Sequence, residues 1–380
     1  MNEARTRILL IECLKKESEE RRGRLFRLIR EGVDLQELSR MACYHGVASR
    51  VYNVLKFYTP TSDEEKKGMR ALQIAALANA TANSYYKEEL VRVLKFFITN
   101  GVPAIPLKGI TLSFRLYGDI VSRDQSADLD LLVKEQDKER ARLLLEDLGY
   151  SFVRVREIPE RSWYYMFVKP REKMVELHWD ITMMGRTPER IKGLWQGAEV
   201  AAWEGMQYYD FKPEELLLYL SAHFVNSDGV RKIKYVGDIN RVLEKYWPDI
   251  WWESLARKAV YWRLNGSLYA GLVIARDMLG AQVPDRVLGE LRLDPLKRFF
   301  IRSFVNRRVM FEGGIRRKVL DLFLNYIFFE LVEARSIKGH VNIWKRVLLP
   351  SKGSIDGRGH VLRLRNGILR FIRTILSRHR

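Results

Sequence analysis

Apolar positions recur three or four residues apart from residue 3 to about residue 99: Ile8, Leu9, Ile11 and Cys13, then Leu25, Leu28 and Ile29, then Val47, Val51, Tyr52, Val54 and Leu55. That period puts them on one face of successive helices, so residues 1–99 are expected to form an N-terminal helical region. Ser62, Asp63, Glu64 and Glu65 follow the turn residues of YTPTSDEEK like a capping box. They predict a long helix through Ala71 to Asn83 and on towards Phe97.

The texture changes at Asn100. VPAIPLKG suits a strand, TLSFRLYG a helix, DIVSRDQSA a polar loop, and DLDLLV alternates acid with leucine as a half-buried strand does. Gln136 to Leu148 carries Ala141, Leu144, Leu145 and Leu148 on one helical face and ends at Gly149, a C-cap residue. SFVRVRE, WYYMFVKP and MVELHWDI predict three further strands. Helical periodicity returns from Pro213 through EELLLYLSAHFV, IKYVGDINRVLEKY, WWESLARKAVYW and LYAGLVIARDMLG, and helices fit Leu296 to Val309 and Lys318 to Arg335. Trp247, Trp251 and Trp252 are expected to fill this helical core. The expected organisation is helical over 1–99, mixed over 100–212, helical over 213–335, with a tail over 336–380. The fold class is α+β.

With 380 residues, 47% hydrophobic and 30% charged, the chain is globular and long enough for two or three units. Its two cysteines, Cys13 and Cys43, cannot build a disulfide framework or a four-cysteine zinc site. No window is apolar enough for a membrane span or a signal peptide, which makes a reducing cytoplasm the expected compartment. The net charge of +19 is concentrated at the C-terminus, where residues 297–380 hold 20 basic and 5 acidic side chains. Such a bias points to phosphate-bearing partners, RNA or an anionic membrane surface, or to a solvated face alone. In the tail, Val361, Leu362, Leu364, Ile368, Leu369, Ile372, Ile375 and Leu376 sort against Arg363, Arg365, Arg370, Arg373 and Arg378 as a basic amphipathic helix. It could dock on its own helical domain, lie on lipid or clamp RNA.

Candidate chemistry lies in the middle section. Asp128 and Asp130 alternate along one strand, so both carboxylates share a face. Two such acids repel unless a cation compensates, an arrangement suited to Mg²⁺. Glu176 in MVELHWDI is placed to add a third acid, on a face with His178 and Asp180. Lys108 and Gly109 precede a helix, where backbone amides and an ammonium can receive phosphate.

These residues resemble a known family. LKGITLSFRLYGDIVSRDQSADLDLLV is similar to the active-site segment of nucleotidyltransferases with the polymerase-beta-like fold. The resemblance is to a bacterial group patterned as LKG, LY, an arginine before DLDLLV, Gly-Tyr, and an acid before LHW. The matching positions are Leu107, Lys108, Gly109, Leu116, Tyr117, Arg123, Asp128 to Val133, Gly149, Tyr150 and Glu176 to Trp179. His45, Gly46 and Val47 match its N-terminal element, and His223, Lys234 and Asp238 its C-terminal helices, giving coverage of roughly residues 40 to 285. Gly109 stands alone where relatives in the wider superfamily carry Gly-Gly or Gly-Ser, and 19 positions separate it from Asp128.

The resemblance implies a polymerase-beta-like core and transfer of a nucleoside monophosphate from a nucleoside triphosphate to an acceptor. Two Mg²⁺ ions would be held by Asp128, Asp130 and Glu176, and the nucleotide by Lys108, Gly109, Arg123, Lys234 and Asp238. The acceptor is open among small molecule, sugar phosphate, peptide and RNA. The plainer readings are that Arg123 pairs with Asp119 or Asp124, that Lys234 and Asp238 form a surface ion pair, that His178 makes a structural hydrogen bond, and that His223 belongs to the core. Rival functions are a toxin-like enzyme acting on tRNA, a non-catalytic nucleotide- or nucleic-acid-binding module, and a peripheral membrane protein. No aromatic and basic platform of recognisable type is evident in the sequence to support RNA binding.

Overall fold

The computed structural model describes residues 2–124, 128–153, 163–182, 188–226 and 232–305, together with Phe311 and Val332. The expected helices over 318–335, apart from Val332, and the amphipathic tail lie outside the described residues.

The chain opens with helices α1 (Asn2–Glu12), α2 (Glu19–Arg30), α3 (Leu35–His45) and α4 (Ala48–Leu55). The long α5 (Asp63–Thr99) starts where the capping pattern predicts, with the Ser62 side chain accepting from the Glu65 amide. Capping of α4 comes from far away. Its N-cap position is Val47, which has no side-chain acceptor, and the Asp124 carboxylate accepts from the amides of Ala48 at 2.8 Å and Ser49 at 2.9 Å.

Then follow β1 (Ala104–Pro106), α6 (Ile110–Tyr117), β2 (Asp128–Val133), α7 (Lys138–Asp147), β3 (Ser151–Val153), β4 (Tyr164–Val168) and β5 (Met174–His178). These strands form one mixed sheet in the order β1-β2-β5-β4-β3, in which β2 and β5 run parallel and the other neighbours antiparallel. The α+β class is as expected.

Three elements lie beyond what the sequence pattern predicts. Helix α8 (Pro188–Gln196) follows the sheet, and β6 (Ala198–Trp203) and β7 (Met206–Phe211) form a separate hairpin. Glu204 and Gly205 turn it with φ of 49° and 70°, the paired positive values of a tight hairpin turn.

Helices α9 (Pro213–Asn226), α10 (Ile233–Tyr246), α11 (Trp252–Tyr261), α12 (Asn265–Ile274), α13 (Asp285–Glu290) and α14 (Pro295–Phe304) complete the described chain. A π-helical segment, Ala275–Leu279, extends α12. Among the described residues no helix is long and apolar enough to cross a membrane.

Two apolar clusters sandwich the sheet. Leu129, Leu131, Val133, Val175 and Leu177 pack with Leu90, Val93, Leu94 and Phe97 of α5 and with α7. Leu132, on the opposite face, joins the cluster that unites the N-terminal helices with α9 to α12. Because side chains alternate, Asp128 and Asp130 share the face of Leu132 and point towards α9 and α10. The tryptophans divide: Trp252 is buried, but Trp251 is 62% exposed, so it does not fill the core as expected. It precedes α11, before the helical period that would turn it inward begins.

Candidate active site

Strand register assembles the acids. Asp130 lies directly opposite Glu176 in the parallel β2/β5 pair, and Leu132 opposite His178. The His178 Nε2 atom sits 3.2 Å from Asp130 Oδ1 and 3.4 Å from Glu176 Oε2. Asp130, Glu176 and His178 each present a ligand atom, all within 4.8 Å of one another. Asp128, one step along the same face, is drawn instead to Lys108.

Lys108 is the cation between the two aspartates. Its Nζ lies 3.1 Å from Asp130 Oδ2 and 3.5 Å from Asp128 Oδ2, and its side chain is almost wholly buried. Burial opposes its charge, but the carboxylates, Asp130 foremost, outweigh burial and raise its pKa. The acids respond oppositely. Burial and the charge of Asp130 push Asp128 above the usual carboxylate range, whereas in Asp130 the opposing effect of burial is overcome by Lys108 and His178, which drive it far below. Desolvation likewise works against a charged His178, yet hydrogen bonds to Asp130 and Glu176 raise its pKa.

Gly109 caps α6 with φ 85° and ψ −133°, a conformation that a side chain would strain. Gly109 has no side chain to cap this helix, and among the described residues no side chain is recorded accepting from its first amides.

The described part of the loop between α6 and β2, residues 118–124, is tied down from several sides. Asp119 accepts from the amides of Val121 and Ser122, and Asn79 and Asn83 of α5 donate to the carbonyls of Val121, Ile120 and Arg123. Arg123 pairs with neither Asp119 nor Asp124. Its Nε and Nη2 donate to both oxygens of Asp238 at 2.8 to 3.1 Å, and both residues are buried. Asp119 is occupied by its own turn and Asp124 by α4, which leaves the guanidinium to α10. Arg123 Nη1 is buried with no hydrogen-bond partner among the described residues.

Asp238 therefore does not form a surface ion pair with Lys234. Lys234, in the first turn of α10, is mostly withdrawn from water, and burial together with the nearby Arg123 charge pushes its pKa down to about 7. Tyr219, His223 and Tyr235 form the ceiling: His223 stacks on Tyr219 at 5.8 Å and meets Tyr235 edge-on at 4.9 Å. Burial and the charge of Lys108 hold the pKa of His223 well below the ordinary imidazole range.

Two residues depart from the sequence-based site. Asp180 lies past the end of β5 and forms a buried pair with Arg190 of α8 at 2.6 Å, away from the acid cluster. Lys173, which no motif singles out, is buried just before β5 with its ammonium 3.6 Å from the Tyr86 ring centroid. Burial lowers its pKa to about 8, and Asp128 and Asp130 offset only part of that effect.

A family model described as an uncharacterised nucleotidyltransferase matches residues 31–280. The chain belongs to this nucleotidyltransferase family, which places it among transferases. No curated protein and no solved structure matches it.

Proposed function

We propose that the protein transfers a nucleoside monophosphate from a nucleoside triphosphate to an acceptor, releasing pyrophosphate. The observation that carries this reading is Lys108 held between Asp128 and Asp130, with Glu176 in register beside Asp130, in a chain of this family.

The donor set fits a divalent cation. Asp130 and Glu176 offer converging oxygens, and Asp128 Oδ1 is buried without a hydrogen-bond partner among the described residues. Asp128, Asp130 and Glu176 would hold Mg²⁺, two ions in the full complex, with His178 beside Asp130 and Glu176 orienting both. When bound, Mg²⁺ neutralises charge on the triphosphate and on the departing pyrophosphate.

The protein's own groups do the positioning. Lys108 balances the acids in their ligand-free state and turns to the triphosphate once they are otherwise neutralised. The amides after Gly109 meet phosphate oxygens at the positive end of α6. Arg123 reaches the nucleotide through Nη1, Asp238 keeps its guanidinium oriented, and Lys234 supplies a second ammonium from α10. The acceptor oxygen attacks the α-phosphorus, the bond from that phosphorus to pyrophosphate breaks, and Glu176 draws away the acceptor proton.

Calorimetric titration with each nucleoside triphosphate and Mg²⁺ tests the reading. Lys108→Ala removes one charge-assisted contact, on the order of 1.5 to 3 kcal/mol, and should weaken nucleotide binding by roughly 10- to 150-fold. Unchanged affinity would contradict it.

A further inference from the structure

The pair of helices that holds the active-site loop also carries a groove. It lies between α4 with its following turn and the first half of α5, has a volume of about 560 Å³, and is lined by Tyr52, Lys56, Arg70, Gln73, Ile74 and Leu77 among others. Its charged lining residues, Lys56, Lys66 and Arg70, are all basic. Lys66 is paired with Asp63, whereas Lys56 and Arg70 are exposed and make no ion pair among the described residues.

An exposed aromatic ring follows Lys56 in the chain. Phe57 is 60% exposed, with the Lys56 ammonium 5.4 Å and the Arg22 guanidinium 5.0 Å from its ring centroid. Ile74 and Leu77, one turn apart on α5, are each 59% exposed in the groove wall. A soluble helix leaves such a stripe uncovered at a cost unless something apolar or aromatic lies on it.

The groove leads to the active-site loop. Asn53 of α4 donates to Ser122, and Asn79 of α5 donates to Ser49 and to the Val121 carbonyl. From Leu77 to Asn83, which holds the Ile120 and Arg123 carbonyls, is six residues, about 9 Å at 1.5 Å per residue.

We propose that this α4/α5 groove docks a single-stranded nucleic acid, whose end is the acceptor at the neighbouring acid cluster. The inference rests on the nucleotidyltransferase reading and names its acceptor class. Unpaired cations suit phosphates, the exposed Phe57 ring and the apolar Ile74 and Leu77 suit base faces, and α5 runs from the groove towards the residues that hold the loop after α6. The platform is invisible as a motif because its residues come from two helices, at positions 52–57 and 66–77.

Fluorescence anisotropy with a labelled oligouridylate tests it, alongside calorimetry with nucleoside triphosphate and Mg²⁺ on the same protein. The intact chain should bind the oligonucleotide in a salt-dependent way. The double variant Lys56→Glu with Arg70→Glu should bind at least about 10-fold more weakly, with the slope of log affinity against log salt reduced by about 1.4 for two lost contacts. Phe57→Ala should weaken binding by roughly 5-fold or more. Both variants should bind triphosphate as the intact chain does. Oligonucleotide binding that is unchanged in the double variant would overturn the proposal, as would binding of anionic vesicles in its place. Triphosphate binding with no oligonucleotide binding would defeat this inference alone, whereas absence of triphosphate binding would count against the activity itself.

Discussion

Arg123 and Asp238, 115 positions apart, form a two-pronged ion pair in which neither partner meets solvent. It fastens the loop before β2 to α10, and with it the acid strand to the helices that roof the site. Removing one partner strands a buried charge, so Asp238→Ala should cost about 3 to 5 kcal/mol in urea unfolding. Replacing both, as Arg123→Met with Asp238→Leu, should cost clearly less. Equal losses in the two proteins would show that the pair is not what the single variant breaks.

The neighbouring aspartates should respond with opposite signs. Asp128 has a raised pKa, so its charge is a burden above that pKa, and Asp128→Asn should keep or raise the melting temperature at pH 7. Asp130 has a lowered pKa, so its stabilisation is present above the unfolded value and disappears as pH falls through the folded one. Asp130→Asn should therefore lower the melting temperature at pH 7. Differential scanning fluorimetry without metal checks both, and destabilisation of the same size in each would refute the division.

Much of the site's frame was legible because it is written locally. The alternation of DLDLLV placed Asp128 and Asp130 on one face, and Ser62 announced α5. What escaped depends on distant partners or on short signals. Arg123 had two nearer acids, yet Asp119 and Asp124 were already committed to backbone amides, a competition no spacing reveals. Strand alternation extended past His178 puts Asp180 on the acid face, but β5 ends at His178. The hairpin of β6 and β7 hung on a Glu-Gly turn between two modest alternating runs, and Glu204 is an unusual residue at positive φ. Lys173 had no motif at all; only the packing of Tyr86 from α5 shows that it is buried.

Lys234 gives a pH signature. Its pKa of about 7 lies well below the 10.5 of a solvated lysine, so the unfolded chain binds more protons between those values. Stability should therefore rise with pH across that window as the penalty on the buried charge is lifted. Lys234→Met should flatten the rise between pH 7 and 9 in chemical denaturation. A slope that survives the substitution would assign it elsewhere, with Lys173 the next group to replace.

Lys108 links stability to metal. Without its ammonium, Asp128 and Asp130 lose their main counter-charge, so Lys108→Met should melt below the native chain and regain stability on addition of Mg²⁺ by more than the native chain does. Thermal melts across a Mg²⁺ titration read this directly. Identical Mg²⁺ responses would mean that Lys108 does not balance the acids.

The central claim concerns which phosphorus is attacked. Parallel incubations with α-labelled and γ-labelled nucleoside triphosphate, Mg²⁺ and a cell extract decide it. The account predicts that the α label passes to an acceptor, that the γ label appears only in pyrophosphate, and that Asp130→Asn and Glu176→Gln suppress both outcomes, Glu176→Gln less completely. Transfer of the γ label to an acceptor, or α-label transfer undiminished in Asp130→Asn, would contradict it.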